Sequence, residues 1–331
     1  MKLRRALLIG LPVLLAGCTR RPMGYLEGAA GPASIPVQRL GNGFVAIACA
    51  VVLIILAMLL LAIANGRRAT REQGGVVRSG THGLAWIYWG IGVSTPVLVA
   101  MTLWNFVVTR EVSAAPAYLP VDVEITAHRW WWEMRYRATP ASDMITTANE
   151  LVIPTGAPVR LRLTSADVIH DFWVPKLGPK MDMEPGQWNT TWLEADRPGV
   201  YFGQCAEYCG LEHAKMGLRV VALGPAQYAA WQRGMRQPAR ASATRGAQVF
   251  IASCSGCHTV RGTDAGGILG PDLTHVASRG TLAAGLLPNT PAGRLRWLSA
   301  TQQVKPGAQM PQVALDQADL AAVAGYLGSL R

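Results

Sequence analysis

The sequence is short of charge, of acidic residues and of cysteine. Only 15% of its 331 residues are charged, and 20 Asp and Glu stand against 31 Lys and Arg, a formal net charge of +11. A basic balance raises nucleic acid as a partner. The Arg and Lys residues are scattered, however, and there is no basic helix, helix-turn-helix spacing or RNA-binding signature, which argues for no nucleic acid. No internal repeat is present. The six cysteines, Cys18, Cys49, Cys205, Cys209, Cys254 and Cys257, are not spread as a disulfide framework; two pairs sit at short spacing beside histidines, as residues used for chemistry do. Half of the residues are apolar, and with so little charge they are expected to be concentrated in membrane segments. The length suits several units, each with its own core.

Lys2, Arg4 and Arg5 precede an apolar run over 6–16 that is too short to span a bilayer, the layout of an export signal over 1–17. Leu15-Ala16-Gly17-Cys18 resembles a bacterial lipobox, in which cleavage falls before the cysteine and Cys18 is lipidated; the competing reading is an ordinary signal with an incidental cysteine. An exported segment over 18–43 follows. The runs 44–64 and 84–108 are each long and apolar enough to cross the hydrocarbon core, the second carrying Pro96, which should kink it, and flanking Trp86, Tyr88, Trp89 and Trp104. Between them, the loop 65–83 carries Arg67, Arg68, Arg71 and Arg78 against Glu72, which places it in the cytoplasm and both flanks outside. Cys49, inside the first span, reads as a small hydrophobe.

From 116 to 232 the texture becomes β-like: short alternating runs begin at Val121, Val159, Trp188 and Gly217, separated by turn signals such as Pro154-Thr-Gly-Ala-Pro158. A sandwich or barrel is implied. Residues 233–244 are polar, Ala- and Arg-rich with Pro238, as in an exposed linker, and 245–331 is helical by texture.

Within the β region, Cys205-Ala-Glu-Tyr-Cys209-Gly-Leu-Glu-His213-Ala-Lys-Met216 gathers two thiols, an imidazole and a thioether, and His170 adds a second imidazole. This soft set favours copper over structural zinc, and two cysteines on one loop can both bridge a pair of coppers. The competing reading is a free pair or a disulfide, with Met216 packed in the core. The motif Cys-x-Glu-x-Cys-x-x-x-His-x-x-Met resembles that of cytochrome c oxidase subunit II. Val168-Ile-His170-Asp-Phe-Trp-Val-Pro175, Met181-Asp-Met-Glu-Pro-Gly186, Arg197-Pro-Gly-Val-Tyr-Phe-Gly-Gln-Cys205 and the two preceding spans extend the resemblance.

That resemblance implies a two-helix transmembrane hairpin and an all-β cupredoxin-like Greek-key domain with a dinuclear copper centre. One copper takes His170 and Met216, the other His213 and the backbone carbonyl of Glu207, and Cys205 and Cys209 bridge both. The Glu207 carboxylate faces oxidase subunit I and shares a magnesium ion with it. A surface tryptophan above the copper receives the incoming electron; in Ala127-His-Arg-Trp130-Trp131-Trp132 that role falls to Trp130. Period-two alternation puts Trp130 and Trp132 on one face and Trp131 on the other, so at least one of them reads as plain core. The family often carries a Glu three residues ahead of a Trp at the start of the second span. Here Gly83 stands there, before Trp86, which leaves proton uptake through this subunit open.

Cys254-Ser-Gly-Cys257-His258 is the C-x-x-C-H attachment signature of a covalent haem c, with His258 placed as an axial ligand. A thioredoxin-like pair would need a βαβ context that is lacking. Downstream, the candidates for the sixth ligand are Met310 and His275; Gly307-Ala-Gln-Met310-Pro311 resembles the distal loop of class I cytochromes c and favours Met310, leaving His275 in a surface loop. By the same resemblance, this all-α class I cytochrome c domain has a Gly270-Pro271 turn whose carbonyl accepts the His258 ring N–H. Arg279 and Trp297 are candidates for contacts to the haem propionates.

Together these features describe an electron-accepting subunit of a respiratory haem–copper oxidase, with no oxygen chemistry on this chain. Its partners are subunit I, subunit III and a cytochrome donor. Its location is a bacterial inner membrane, with both redox domains on the periplasmic face. A copper-fed nitric oxide reductase subunit and a copper-delivery or redox-sensing lipoprotein are the alternatives.

Overall fold

The structure, a computed structural model, describes residues 28–72, 83–240 and 242–331. The signal-like segment, Cys18 and most of the basic loop lie outside the described residues.

Residues 35–114 form one unit, a pair of helices, α1 (Ile35–Glu72) and α2 (Gly83–Ser113). Both extend beyond the apolar runs 44–64 and 84–108. Hydropathy marks the thickness of the hydrocarbon core, whereas a helix continues until its backbone is capped or broken. The two are long and apolar enough to cross a membrane. Side chains such as Leu53, Leu61 and Leu98 are exposed along them, and a helix apolar all round is stable only where no water competes. Pro96 lies inside α2, where it removes one backbone donor without ending the helix.

The second unit comprises the remaining described residues and contains two domains. In the first, ten strands make two five-stranded sheets. One has the order β3 (Ile145–Ala148), β2 (Trp131–Tyr136), β1 (Val121–His128), β5 (Val159–Ser165), β8 (Asn189–Leu193). The other has the order β4 (Glu150–Pro154), β10 (Gly217–Leu223), β9 (Gly199–Cys205), β6 (His170–Trp173), β7 (Met181–Met183). Alternation along the strands buries Val123, Ile125 and Ala127 from β1, Leu161 and Leu163 from β5, and Leu218, Val220 and Ala222 from β10, which fill the space between the sheets. Pairing of β1 with β5 and of β4 with β10 is parallel, so the chain crosses between sheets rather than meandering. The shortest crossing is Asn149 alone, between β3 and β4. Its φ of 63° is in the left-handed region that Asn tolerates, and its Oδ1 accepts the Trp132 N–H at 3.0 Å.

A helix, α3 (Pro225–Arg236), closes this domain, with Trp231 against Tyr136 and Tyr228. It takes up the start of the stretch 233–244 that composition marked as an exposed linker. Beyond it Ala239 is buried and its N–H donates to Arg261 O at 2.8 Å, because this segment finds backbone partners in the next domain.

The C-terminal domain holds α4 (Arg245–Ser253), α5 (Pro291–Ser299), α6 (Thr301–Val304) and α7 (Gln317–Ser329). Thr244, Thr290 and Asp316 cap α4, α5 and α7 through their side-chain oxygens. Gly246 lets α4 and α7 touch: a Cβ there would lie 2.1 Å from Ala322 O. Two short hairpins interrupt the helical texture, β11 (Thr259–Val260) with β12 (Ala265–Gly266) and β13 (Thr281–Leu282) with β14 (Leu287–Pro288).

Within the β domain the buried Tyr136 hydroxyl donates to Val152 O at 2.9 Å and accepts from Val152 N at 2.7 Å. Tyr136→Phe leaves both backbone groups unpaired, and thermal or urea unfolding should show a loss of about 1–3 kcal/mol.

Candidate metal centres

The β9–β10 connection gathers the thiols because its two ends are tied: Cys205 N–H donates to Met216 O at 3.0 Å, so the residues between must fold into a compact loop. Cys205 Sγ lies 3.8 Å from Cys209 Sγ, 3.7 Å from His170 Nδ1 and 3.2 Å from the Glu207 carbonyl oxygen. Cys209 Sγ lies 3.6 Å from His213 Nδ1 and 3.8 Å from Met216 Sδ. A disulfide would need a sulfur separation near 2.05 Å, so the pair is not bonded. Met216 is buried, as the packing alternative expected, but its sulfur points at a thiol rather than at apolar neighbours alone. His170, Cys205 and Cys209 present ligand atoms within 4.8 Å of one another, all buried. All six donors sought for a two-copper centre therefore meet in one place. The Glu207 side chain is exposed.

A residue missed in the sequence sets this geometry. Asp167 Oδ1 accepts from His170 Nε2 at 2.9 Å, which turns Nδ1 toward the sulfurs, while its Oδ2 accepts the Arg129 N–H at 2.7 Å. Burial pulls the His170 pKa down, but the hydrogen bonds to Asp167 and Cys205 outweigh it and the net shift is upward. Hydrogen bonding with Cys209, opposed by burial and helped by His170, holds the Cys205 thiol far below the ordinary thiol range and pushes Cys209 up. The thiolate is the form that copper takes.

The second centre is a cavity of about 380 Å³, in the range of a bound cofactor, whose lining includes Cys254, Cys257, His258 and Met310. His258 Nδ1 lies 2.9 Å from Pro271 O; the N–H that donates there leaves Nε2 with its lone pair free. Gly270 permits the contact, since a Cβ there would lie 2.6 Å from the imidazole. Burial keeps the His258 pKa below its ordinary value, which favours the neutral ring that can ligate iron. Gln302 Nε2 donates to Met310 O at 2.7 Å and to Ala308 O at 2.9 Å, pinning the loop that presents the thioether. Arg279 and Trp297 also line the cavity. His275 does not lie in a surface loop: it is 3% exposed, and its Nε2 is 2.9 Å from Gln237 O, so it ties the connecting segment to this domain.

Trp130 differs from its expected surface position. It is only 8% exposed and sits in the turn after β1, because the pairing of His128 with Trp131 closes the β1–β2 hairpin and ends the alternation. Trp130 and Trp132 therefore do not share a strand face. Trp132 is core, edge-on to Phe172 at 5.9 Å, and Trp131 stacks on His128 at 4.3 Å. Trp130 lines the same cavity as His258, and its indole N–H donates to Cys209 O at 2.9 Å. What covers it is the chain's own C-terminal domain, at Lys305 and Gly307. Burial pushes the Lys305 ammonium down to about 8, against the pull of Glu212.

Residues 137–223 match the family described as cytochrome c oxidase subunit II, periplasmic domain, and 243–331 match cytochrome c. The two domains belong to these families. Both assignments indicate the groups that the residues fit, copper in the subunit II domain and haem c in the cytochrome domain. Cytochrome c oxidase subunit 2 of Alkalihalophilus pseudofirmus is 39% identical over 217 residues, 64% of this chain and 61% of that protein. The protein of the same name from Bacillus sp. strain PS3 is 34% identical over 227 residues, 64% of this chain and 62% of that one. The similarity thus spans a little over three fifths of these relatives. The crystal structure of the periplasmic domain of cytochrome oxidase subunit II from Bradyrhizobium japonicum is 29% identical, with a TM-score of 0.35, covering 37% of this chain and 97% of that one.

Removing the carboxylate that orients His170, as Asp167→Ala, should weaken copper retention about 10–100-fold. Competition with a chelator measures this, and unchanged retention would show that His170 is held without it.

Proposed function

We propose that the chain is the electron-accepting subunit of a respiratory haem–copper terminal oxidase, taking electrons from a cytochrome donor and delivering them to oxidase subunit I for oxygen reduction. One observation carries this reading: Trp130 walls the haem cavity and also hydrogen-bonds the backbone of the copper ligand Cys209. When bound, haem c and the dinuclear copper supply one-electron stations with no open substrate position, so the oxygen chemistry belongs to another subunit.

The residues divide the work. Cys254 and Cys257 would hold the porphyrin, His258 would offer its Nε2 to iron, and the Met310 thioether would raise the potential toward a range useful to an oxidase. The dinuclear copper would be held by Cys205 and Cys209, shared between the two ions, together with His170 and Met216 on one side and His213 and the Glu207 carbonyl on the other. The exposed Glu207 carboxylate is free to face subunit I and share magnesium with it. Trp130 passes the electron between the two sites. The helices α1 and α2 hold the chain in a bacterial inner membrane beside subunits I and III, with both redox domains on the periplasmic face and Cys18 as a lipid anchor.

The purified, loaded chain should give the paramagnetic resonance of a valence-delocalised two-copper centre that equilibrates electrons with a c-type haem. A single-copper signal, or no copper bound, contradicts the reading.

A further inference from the structure

The boundary between the subunit II and cytochrome domains exchanges two buried charges in opposite directions. Glu150, the first residue of β4, is 6% exposed. Its carboxylate accepts the Gly280 N–H at 3.0 Å, the Thr281 N–H at 2.9 Å and the Thr281 hydroxyl at 3.0 Å, all from the cytochrome domain. Lys305, just after α6, is 3% exposed and reaches the other way. Its Nζ donates to Trp130 O at 2.5 Å and to Lys215 O at 3.0 Å. Lys215 Nζ in turn donates to Val304 O at 3.4 Å while pairing with the Glu212 carboxylate at 3.0 Å.

A buried charge is tolerated only where hydrogen bonds replace its water, and one left without partners is strongly unfavourable. Each of these two charges finds its acceptors or donors in one arrangement of the domains. Sliding or rotating the interface would leave a carboxylate and an ammonium desolvated and unpaired, so alternative docked poses are disfavoured more strongly than separation into water. Asn149, Thr281, Lys305 and Trp130 all border the cavity that holds His258, so the two contacts bracket the place where the domains meet over the haem site.

We propose that Glu150 and Lys305 lock the cytochrome domain onto the subunit II domain in a single pose, and that Lys305 is a positioning residue that holds Trp130 between the haem cavity and the copper loop. This rests on the reading that electrons cross from the one to the other. Under the lock, transfer between the centres needs no prior search by a tethered domain, unlike a merely linked donor whose effective concentration depends on its linker. It also closes Trp130 to any soluble donor, which must deliver its electrons to the cytochrome domain.

The test uses the full loaded chain, with Glu150→Gln and Lys305→Met beside the unaltered protein. Amide exchange is followed at Gly280 and Thr281, and haem-to-copper equilibration is followed after photoreduction at several viscosities and ionic strengths. The unaltered protein should protect both amides and transfer at a rate indifferent to viscosity and salt. Lys305→Met should slow transfer about tenfold, equivalent to ~1.4 kcal/mol of docking, and make it viscosity- and salt-dependent while the haem and copper spectra stay the same. Glu150→Gln should deprotect the two amides and bring in the same dependence. A viscosity-dependent rate in the unaltered protein, unprotected amides there, or variants indistinguishable from it would overturn the lock. Protected amides with no transfer at all would uphold the lock and overturn the functional reading on which its purpose rests.

Discussion

A single indole joins the two centres. Buried Trp130 has one polar hydrogen to satisfy, and its acceptor is the carbonyl of Cys209, inside the ligand loop. The hydrogen bond therefore couples the shape of the copper loop to the turn after β1. The residues of that turn also line the cavity around His258. Asp167 grips the same turn through the Arg129 N–H while orienting His170, so the proposed copper ligand, the tryptophan and the cavity wall are fixed by one short network. Such a network is rigid because every member is paired, and rigidity of the intervening groups is what a fixed transfer path requires.

Fusion of the cytochrome domain adds a constraint that a diffusing donor would not meet. A covalent linker alone raises the effective concentration but leaves orientation free. Here the segment after α3 is bound to the cytochrome domain at Ala239 and Gln237, and the interface carries buried Glu150 and Lys305. Burying them has a desolvation cost that apolar residues would not incur. What it supplies is discrimination among poses, since a misaligned arrangement loses the hydrogen bonds that replace their water.

Much of this was legible because the chemistry demands local spacing. Thioether attachment and axial ligation would require Cys254, Cys257 and His258 in one short stretch, and bridging thiolates would require Cys205 and Cys209 on one loop, so the proposed ligands stand close together in the sequence. Alternation marked the strands at Val121, Val159 and Gly217 because one face of each is core. Three features were not legible, each for a physical reason. Asp167 looks like any turn aspartate until the fold brings His170 to it. Glu150 meets Thr281, and Lys305 meets Trp130, only across a domain boundary that no period in the sequence records. The burial of Trp130 depends on a hairpin register and on a second domain, so neither alternation nor the likeness to subunit II could place it. His275 was misjudged for a related reason: a histidine beside a turn reads as exposed unless its partner, here the Gln237 carbonyl, is known.

Passage of electrons through Trp130 is tested most directly by Trp130→Phe. Phenylalanine keeps an apolar ring against the cytochrome domain but loses the hydrogen bond to Cys209. Photoreduction of the haem, followed by the rate of electron appearance at copper, should show slower transfer with both centres spectroscopically intact. An unchanged rate in that variant would contradict the account and send the path elsewhere.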